Sequence, residues 1–220
     1  VRNMEASREG PTATSFRNVP AKLLEVNRKV VNGFRSRSGQ GKLSFTHLIG
    51  WAVVRAIADS VPAMKNGFVE GEDGKPRLVV NEHVNMALAV DVEKADGSRT
   101  LLTPIFRDAD TLDFAGFLAS YYELIRKVKN NKLTVDDFMG ANVSLTTPGT
   151  IGTVQSVPRL MPGQGLIVGV GSIDFPAEFE GADRQSLAEM GLSKVVTVTS
   201  TYDHRIIQGA ESGLFLKRVK

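Results

Sequence analysis

Proton chemistry near neutral pH needs a side chain that can both take and give a proton, and this 220-residue chain offers three histidines and no cysteine. The missing cysteine excludes disulfides, thiolate metal sites and a cysteine nucleophile. His47 opens a helical pattern and His83 a strand pattern. No His-x-x-x-His or His-x-x-Glu-His spacing joins either to a metal site, so both read as structural. His204 differs in position. It lies in the triplet Asp203-His204-Arg205, directly after the β-branched run KVVTVTSTY, so a strand end delivers it to a sheet edge of the kind where ligands bind. The alternative for His204 is a satisfied core histidine. Asp203 and Arg205 read as charges that lock the turn by pairing. A second polar strand end is Thr146-Thr147 in NVSLTTPG, where a hydroxyl serves either as strand filler or as a donor to a developing oxyanion. The glycine-rich stretch GTIGTVQSVPRLMPGQGLIVGVG has neither the Gly-x-x-x-x-Gly-Lys-Ser/Thr spacing nor a strand-first dinucleotide fingerprint. It reads as a turn-rich loop feeding a buried strand.

Positioning these groups takes a core, and 42% hydrophobic residues supply one, in one large domain or two small ones. No apolar run nears the roughly 20 residues of a membrane span, and no signal-peptide h-region opens the chain. A soluble, cytoplasmic setting is expected. The net charge is +3, and residues 1 to 42 hold nine lysines and arginines against three acids, an arm suited to an anionic ligand or partner. No nucleic-acid reader motif accompanies it. Residues 1 to 15 are polar and without period, and read as a flexible lead-in. Helical periodicity marks AKLLEVNRKVVNGF, HLIGWAVVRAIADS capped by Thr46, LDFAGFLASYYELIRKVKNN opened by Thr111, and AESGLFLKRVK. RLVV, VNMALAVDVE, RTLLTPIF, NVSLTT, GLIVGVGS and KVVTVTSTY read as strands, with a hairpin turn at ADGS. Interspersed helices and hairpin-linked strands predict the α/β class, a mixed β-sheet with flanking helices. Opening on Val1 and ending within a helical pattern, the sequence is expected to be a domain excised from a longer chain.

YDHRIIQGAESGLFL resembles the terminal motif of the catalytic domain of dihydrolipoamide acyltransferases, the second component of 2-oxo acid dehydrogenase complexes. THLIGWAVVRAIADSVPAMKNGF, VNMALAVDVE, TPIFRDADTLDFAGF, NNKLTVDDFMGANVSLTTPGTIGT and GLIVGVGSI follow in the family's order. The likeness covers most of residues 16 to 219, which implies that 16–220 is the acyltransferase domain. Within the family, PTATSFRNVPAKLLEVNR and HRIIQG most resemble the succinyltransferase-like domain fused to the thiamine-diphosphate decarboxylase of actinobacterial 2-oxoglutarate dehydrogenase.

The resemblance implies a fold like that of chloramphenicol acetyltransferase, a trimer with active sites between subunits, and transfer of a succinyl group from succinyl-dihydrolipoamide to coenzyme A in the tricarboxylic acid cycle. By position it makes His204 the general base and Thr146 of a neighbouring subunit the oxyanion stabiliser. Asp203, Arg205 and Gln208 support that site, and no metal is implied. Thr153, Gln155, Ser156 and Arg159 in TVQSVPR are the candidates to hold the acyl group's distal carboxylate.

Two departures shape the expectation. Gln208 stands where the family has Asp or Asn, and a neutral amide accepts a hydrogen bond without supplying charge. No lipoyl domain precedes residue 16, so the lipoyl group is expected from another chain. Thiamine diphosphate and magnesium enter only if a decarboxylase domain belongs to the full-length protein. The implied partners are two further copies, the lipoyl domain of another acyltransferase subunit, and the decarboxylase and dihydrolipoamide dehydrogenase components, with neither nucleic acid nor membrane. The rival expectation is a catalytically weak trimeric scaffold that organises the decarboxylase and its partners.

Overall fold

In chain order the strands are β1 (Thr12–Pro20), β2 (Gly67–Glu70), β3 (Pro76–Val79), β4 (Met86–Leu88), β5 (Val90–Glu93), β6 (Arg99–Leu102), β7 (Ile105–Phe106), β8 (Val143–Thr146), β9 (Leu166–Asp174) and β10 (Val195–Asp203). The helices are α1 (Lys22–Arg37), α2 (Phe45–Ser60), α3 (Phe114–Lys129), α4 (Arg184–Glu189) and α5 (Gly209–Val219). These come from a computed structural model that describes residues 5–8, 10–93 and 96–220. As expected, a mixed sheet forms the frame, in the order β1-β10-β9-β8-β4-β7. β10 runs antiparallel to both β1 and β9, whereas β9, β8 and β4 are mutually parallel and β7 closes the edge antiparallel. Two hairpins, β2–β3 and β5–β6, stand outside this sheet.

Period-two alternation explains how β10, one strand in from the sheet edge, serves both faces. Val196, Val198 and Tyr202 join the core, while Thr197, Thr199 and Thr201 are buried toward the opposite face. The threonines can be buried because their hydroxyls are paired: Thr14 with Thr201 at 2.8 Å, Thr197 with Asn18 at 2.9 Å. Against the apolar face, α2 buries Ile49, Val53, Val54 and Ile57. Phe117 of α3, Phe215 of α5 and Met86, Leu145, Leu166 and Val168 of the sheet complete the same core. Each fully buried side chain of this size contributes about 1.5–3 kcal/mol of transfer free energy. On the other face, the 153–158 segment lies over β9. Ser172 N–H donates to the Thr153 carbonyl at 2.9 Å, and a Cβ on Gly171 would stand 1.8 Å from the Val154 carbonyl oxygen, so only glycine fits there.

Several boundaries differ from expectation. The lead-in is shorter than residues 1 to 15, because Thr12–Ser15 already pair with Ser200–Asp203. Residues 1–4 and 9 lie outside the described set. α2 is capped by Ser44 and not Thr46: Ser44 Oγ accepts the His47 N–H at 3.3 Å, and His47 Nδ1 accepts the Ser44 N–H at 3.0 Å. α3 is opened by Asp113, whose carboxylate accepts the Gly116 N–H at 2.7 Å, and Thr111 ends a preceding 3-10 turn. VNMALAVDVE is split at Ala89 between the main sheet and the β5–β6 hairpin. No helix among the described residues is long and apolar enough to cross a membrane.

Candidate active site

Asp203 is the last residue of β10, and its buried carboxylate organises the turn that follows. Its Oδ1 accepts the Arg205 backbone N–H at 3.0 Å, which closes an Asx turn around His204. Arg205 then folds back, donating through Nε to Oδ1 at 2.9 Å and through Nη2 to Oδ2 at 2.6 Å. This two-pronged pair holds the guanidinium charge firmly, raising its already high pKa, first through the hydrogen bonds to Asp203. The Asp203 carbonyl accepts N–H bonds from Ile206 and Ile207, and Ile207 is wholly buried. His204 is thus exposed on a turn pinned on both sides, with its own N–H donating to the Pro11 carbonyl at 2.9 Å. Its imidazole has no hydrogen-bond partner among the described residues, and the Tyr202 ring lies 5.5 Å away, centroid to centroid.

Thr146 ends β8 at the rim of a separate cavity of about 380 Å³, lined also by Thr46, Arg99, Leu101, Tyr121 and Thr147. Burial pushes the Tyr121 phenol up to about 12, so it stays neutral and can only donate or accept hydrogen bonds. Arg99, the cation of this wall, donates through Nε to Asp91 at 2.8 Å and pairs with Glu93 at 3.5 Å.

One chain does not bring the two strand ends together. Thr146 is level with Gly169 and hence with Thr199, five residues short of His204. At about 3.3 Å per residue and 4.8 Å per strand, the gap is roughly 17 Å along the sheet and 10 Å across it. The TVQSVPR loop is a third location. Ser156 packs toward Gly169 on the outer face of β9, Thr153 is half-buried, and Gln155 and Arg159 are exposed. None of the four lines the Thr146 cavity. Gln208 caps the start of α5, where its backbone N–H donates to Glu211 Oε2 at 2.7 Å, and it takes no part in the Asp203–Arg205 pair.

His47 is buried and His83 is partly exposed. His47 lies in edge contact with Tyr121 and Tyr122, and burial, helped by nearby Arg35, lowers its pKa to about 4. His83 Nδ1 meets Asp110 Oδ2 at 3.3 Å, while Asp110 Oδ1 accepts the Val84 N–H at 2.7 Å. Sequence reasoning missed Phe68, Pro11, Tyr121 and Arg99 as site neighbours. Each reaches its site by chain crossing and not by a local motif.

The family model for the catalytic domain of 2-oxoacid dehydrogenases acyltransferase matches residues 1–220. A multifunctional 2-oxoglutarate metabolism enzyme of Mycobacterium sp. (strain JLS) is 52% identical over 219 residues, covering 100% of this chain and 17% of that protein. The 2-oxoglutarate dehydrogenase E1/E2 component of Corynebacterium glutamicum is 51% identical over 217 residues, covering 99% of this chain and 18% of that protein. The chain therefore spans less than a fifth of the length of either relative. Among solved structures, a probable dihydrolipoamide acetyltransferase from Listeria monocytogenes superposes with a TM-score of 0.80 at 24% identity, over 99% of this chain and 86% of that one. Chloramphenicol acetyltransferase superposes at 0.53 with 18% identity, over 99% and 92% of the two chains, a likeness of fold alone. Matched from end to end, the chain belongs to the family of 2-oxoacid dehydrogenase acyltransferase catalytic domains.

Proposed function

We propose that this domain transfers a succinyl group from succinyl-dihydrolipoamide to coenzyme A within a 2-oxoglutarate dehydrogenase assembly, with His204 as general base and Thr146 as oxyanion donor. The observation that carries the reading is the His204 corner: an exposed imidazole with no hydrogen-bond partner among the described residues, on a turn fixed by the Asp203–Arg205 pair. A thiol with a pKa of about 8.5 is mostly protonated at neutral pH, and an imidazole that takes its proton generates the attacking thiolate. The thiolate adds to the thioester carbonyl carbon, and the resulting oxyanion accepts a hydrogen bond from the threonine hydroxyl. Collapse breaks the bond to the dihydrolipoamide sulfur, which recovers the proton from the imidazolium. Because Thr146 of the same chain lies roughly 20 Å away by strand geometry, the threonine is supplied by a neighbouring copy. That requirement supports a trimer with sites at its interfaces.

The 2-oxoglutarate names of the relatives support succinyl as the acyl group. On this reading its distal carboxylate is held by Thr153, Gln155, Ser156 and Arg159 of the loop over β9. Coenzyme A and a lipoyl group borne by another chain are the substrates. The decarboxylase, with its thiamine diphosphate and magnesium, and the dihydrolipoamide dehydrogenase are the partners, in the cytoplasm. The test is transfer between coenzyme A and free dihydrolipoamide from succinyl and acetyl donors, comparing wild type, His204→Ala and Arg159→Ala. His204→Ala is expected to lose about two to four orders of magnitude, and Arg159→Ala to lose succinyl transfer selectively. Equal inertness of wild type and His204→Ala, with a persistent trimer, would replace the enzyme with the scaffold reading.

A further inference from the structure

The β2–β3 hairpin belongs to neither the main sheet nor the core helices, yet it places one aromatic ring at the His204 corner. The guanidinium carbon of Arg205 stands 3.5 Å from the centroid of the Phe68 ring. The same guanidinium holds the buried Asp203 carboxylate in two-pronged fashion, and Asp203 in turn accepts the Arg205 N–H across His204. Gly10 approaches the Arg205 Nη2 end, and together Gly10, Phe68, Asp203 and Arg205 border a cavity of about 250 Å³. The Arg205 side chain is 34% exposed, whereas that of Asp203 is 6% exposed. Water therefore competes for the arginine more than for the aspartate, and the flat π face of Phe68 backs the planar cation that the Asp203 bonds orient.

We infer that Phe68 is a positioning residue for His204: its ring backs Arg205, Arg205 fixes Asp203, and the pair sets the direction in which the imidazole meets the thiol. The inference rests on the reading of His204 as base. Removing the ring leaves substrate contacts in place but loosens the turn, so the loss falls on kcat and not on KM. Phe68→Leu separates the two properties of the side chain, because it keeps apolar bulk without the π face. Phe68→Tyr restores the face.

The experiment measures kcat and the KM for coenzyme A and for dihydrolipoamide in wild type, Phe68→Leu, Phe68→Tyr and His204→Ala. It is paired with histidine-selective ¹³C NMR, which is simple in a chain with three histidines. Phe68→Leu is expected to lower kcat about tenfold with both KM values within about twofold, and Phe68→Tyr to recover it. The His204 resonance should shift or broaden in Phe68→Leu while those of His47 and His83 stay in place. A wild-type kcat in Phe68→Leu with an unmoved His204 resonance overturns the inference, as does an effect confined to KM or a Phe68→Tyr loss as large as that of Phe68→Leu. If His204→Ala is as active as wild type, the general-base reading itself fails. If His204→Ala is inactive and the Phe68 variants are normal, only the inference fails.

Discussion

The His204 corner lies just past the end of β10, the Thr146 cavity two strands away and level with the middle of β10, and they are built to different tolerances. Around His204, a buried carboxylate, a two-pronged arginine and the Pro11 carbonyl leave the turn little freedom. Around Thr146, the hydroxyl has no hydrogen-bond partner among the described residues and faces an open cavity. The contrast follows from the chemistry each group is proposed to do. An imidazole nitrogen exchanges protons along one direction fixed by the ring, so the backbone must aim it. A hydroxyl rotates to find its acceptor and needs only to be nearby.

Breaking one end at a time gives the largest expected effect. His204→Ala and Thr146→Ala should each lose about two orders of magnitude or more in transfer rate. If each site takes its histidine from one copy and its threonine from the next, refolding the two inactive variants together at equal amounts should restore about one quarter of wild-type activity, the fraction of interfaces that are intact on both sides. No recovery from a mixture shown by light scattering to be trimeric would mean that both groups act from one chain, against the separation along the sheet.

A smaller effect tests the tolerance difference in backbone terms. Gly171 of β9 lies under the segment that follows Thr146, with no room for a Cβ beside the Val154 carbonyl. Gly213 of α5, beyond the His204 corner, has nothing within 4 Å of its Cβ position. Gly171→Ala should destabilise by about 3 kcal/mol through overpacking against rigid backbone, whereas Gly213→Ala should gain up to about 1 kcal/mol from helix propensity. Urea midpoints moving together in the two variants would show that the loop over β9 gives way freely.

Much of this arrangement was legible in the sequence, for reasons that separate local from non-local physics. The strands of GLIVGVGS and KVVTVTSTY and the helices around Val53 and Phe117 announced themselves because burial imposes a period on them. β1 did not. Its Thr12–Asn18 stretch is polar because it pairs at the sheet edge through threonine and asparagine hydrogen bonds, so no apolar alternation marks it. The α2 cap was misplaced by two residues because Ser44 and Thr46 are equally good cap types, and the choice falls to His47, whose ring reaches back to the Ser44 N–H. At the candidate site, His204 and Thr146 were marked by strand ends. The backing ring of Phe68 comes from a hairpin some 135 residues earlier in the chain, a contact to which no local pattern points.

His47 gives the last and smallest test, on the Thr146 side. The ring packs on Tyr121 and Tyr122 of α3, near Arg35 of α1, and it must stay neutral to accept the Ser44 N–H. Its pKa falls from 6.5 to about 4 on folding, so the unfolded state binds the proton first as the solution is acidified. The stabilisation is therefore complete above pH 6.5 and is lost progressively as pH drops toward 4. Between neutral pH and pH 5 the linkage amounts to about 2 kcal/mol. Glutamine supplies the same backward-reaching acceptor in a capping box without titrating. His47→Gln should flatten the acid limb of stability against pH by about that amount, read from urea midpoints between pH 7.5 and 5. Parallel curves for the two proteins would assign the acid sensitivity to carboxylates elsewhere. A flattened curve would place it beside Thr46 and Tyr121, on the wall of the looser of the two regions.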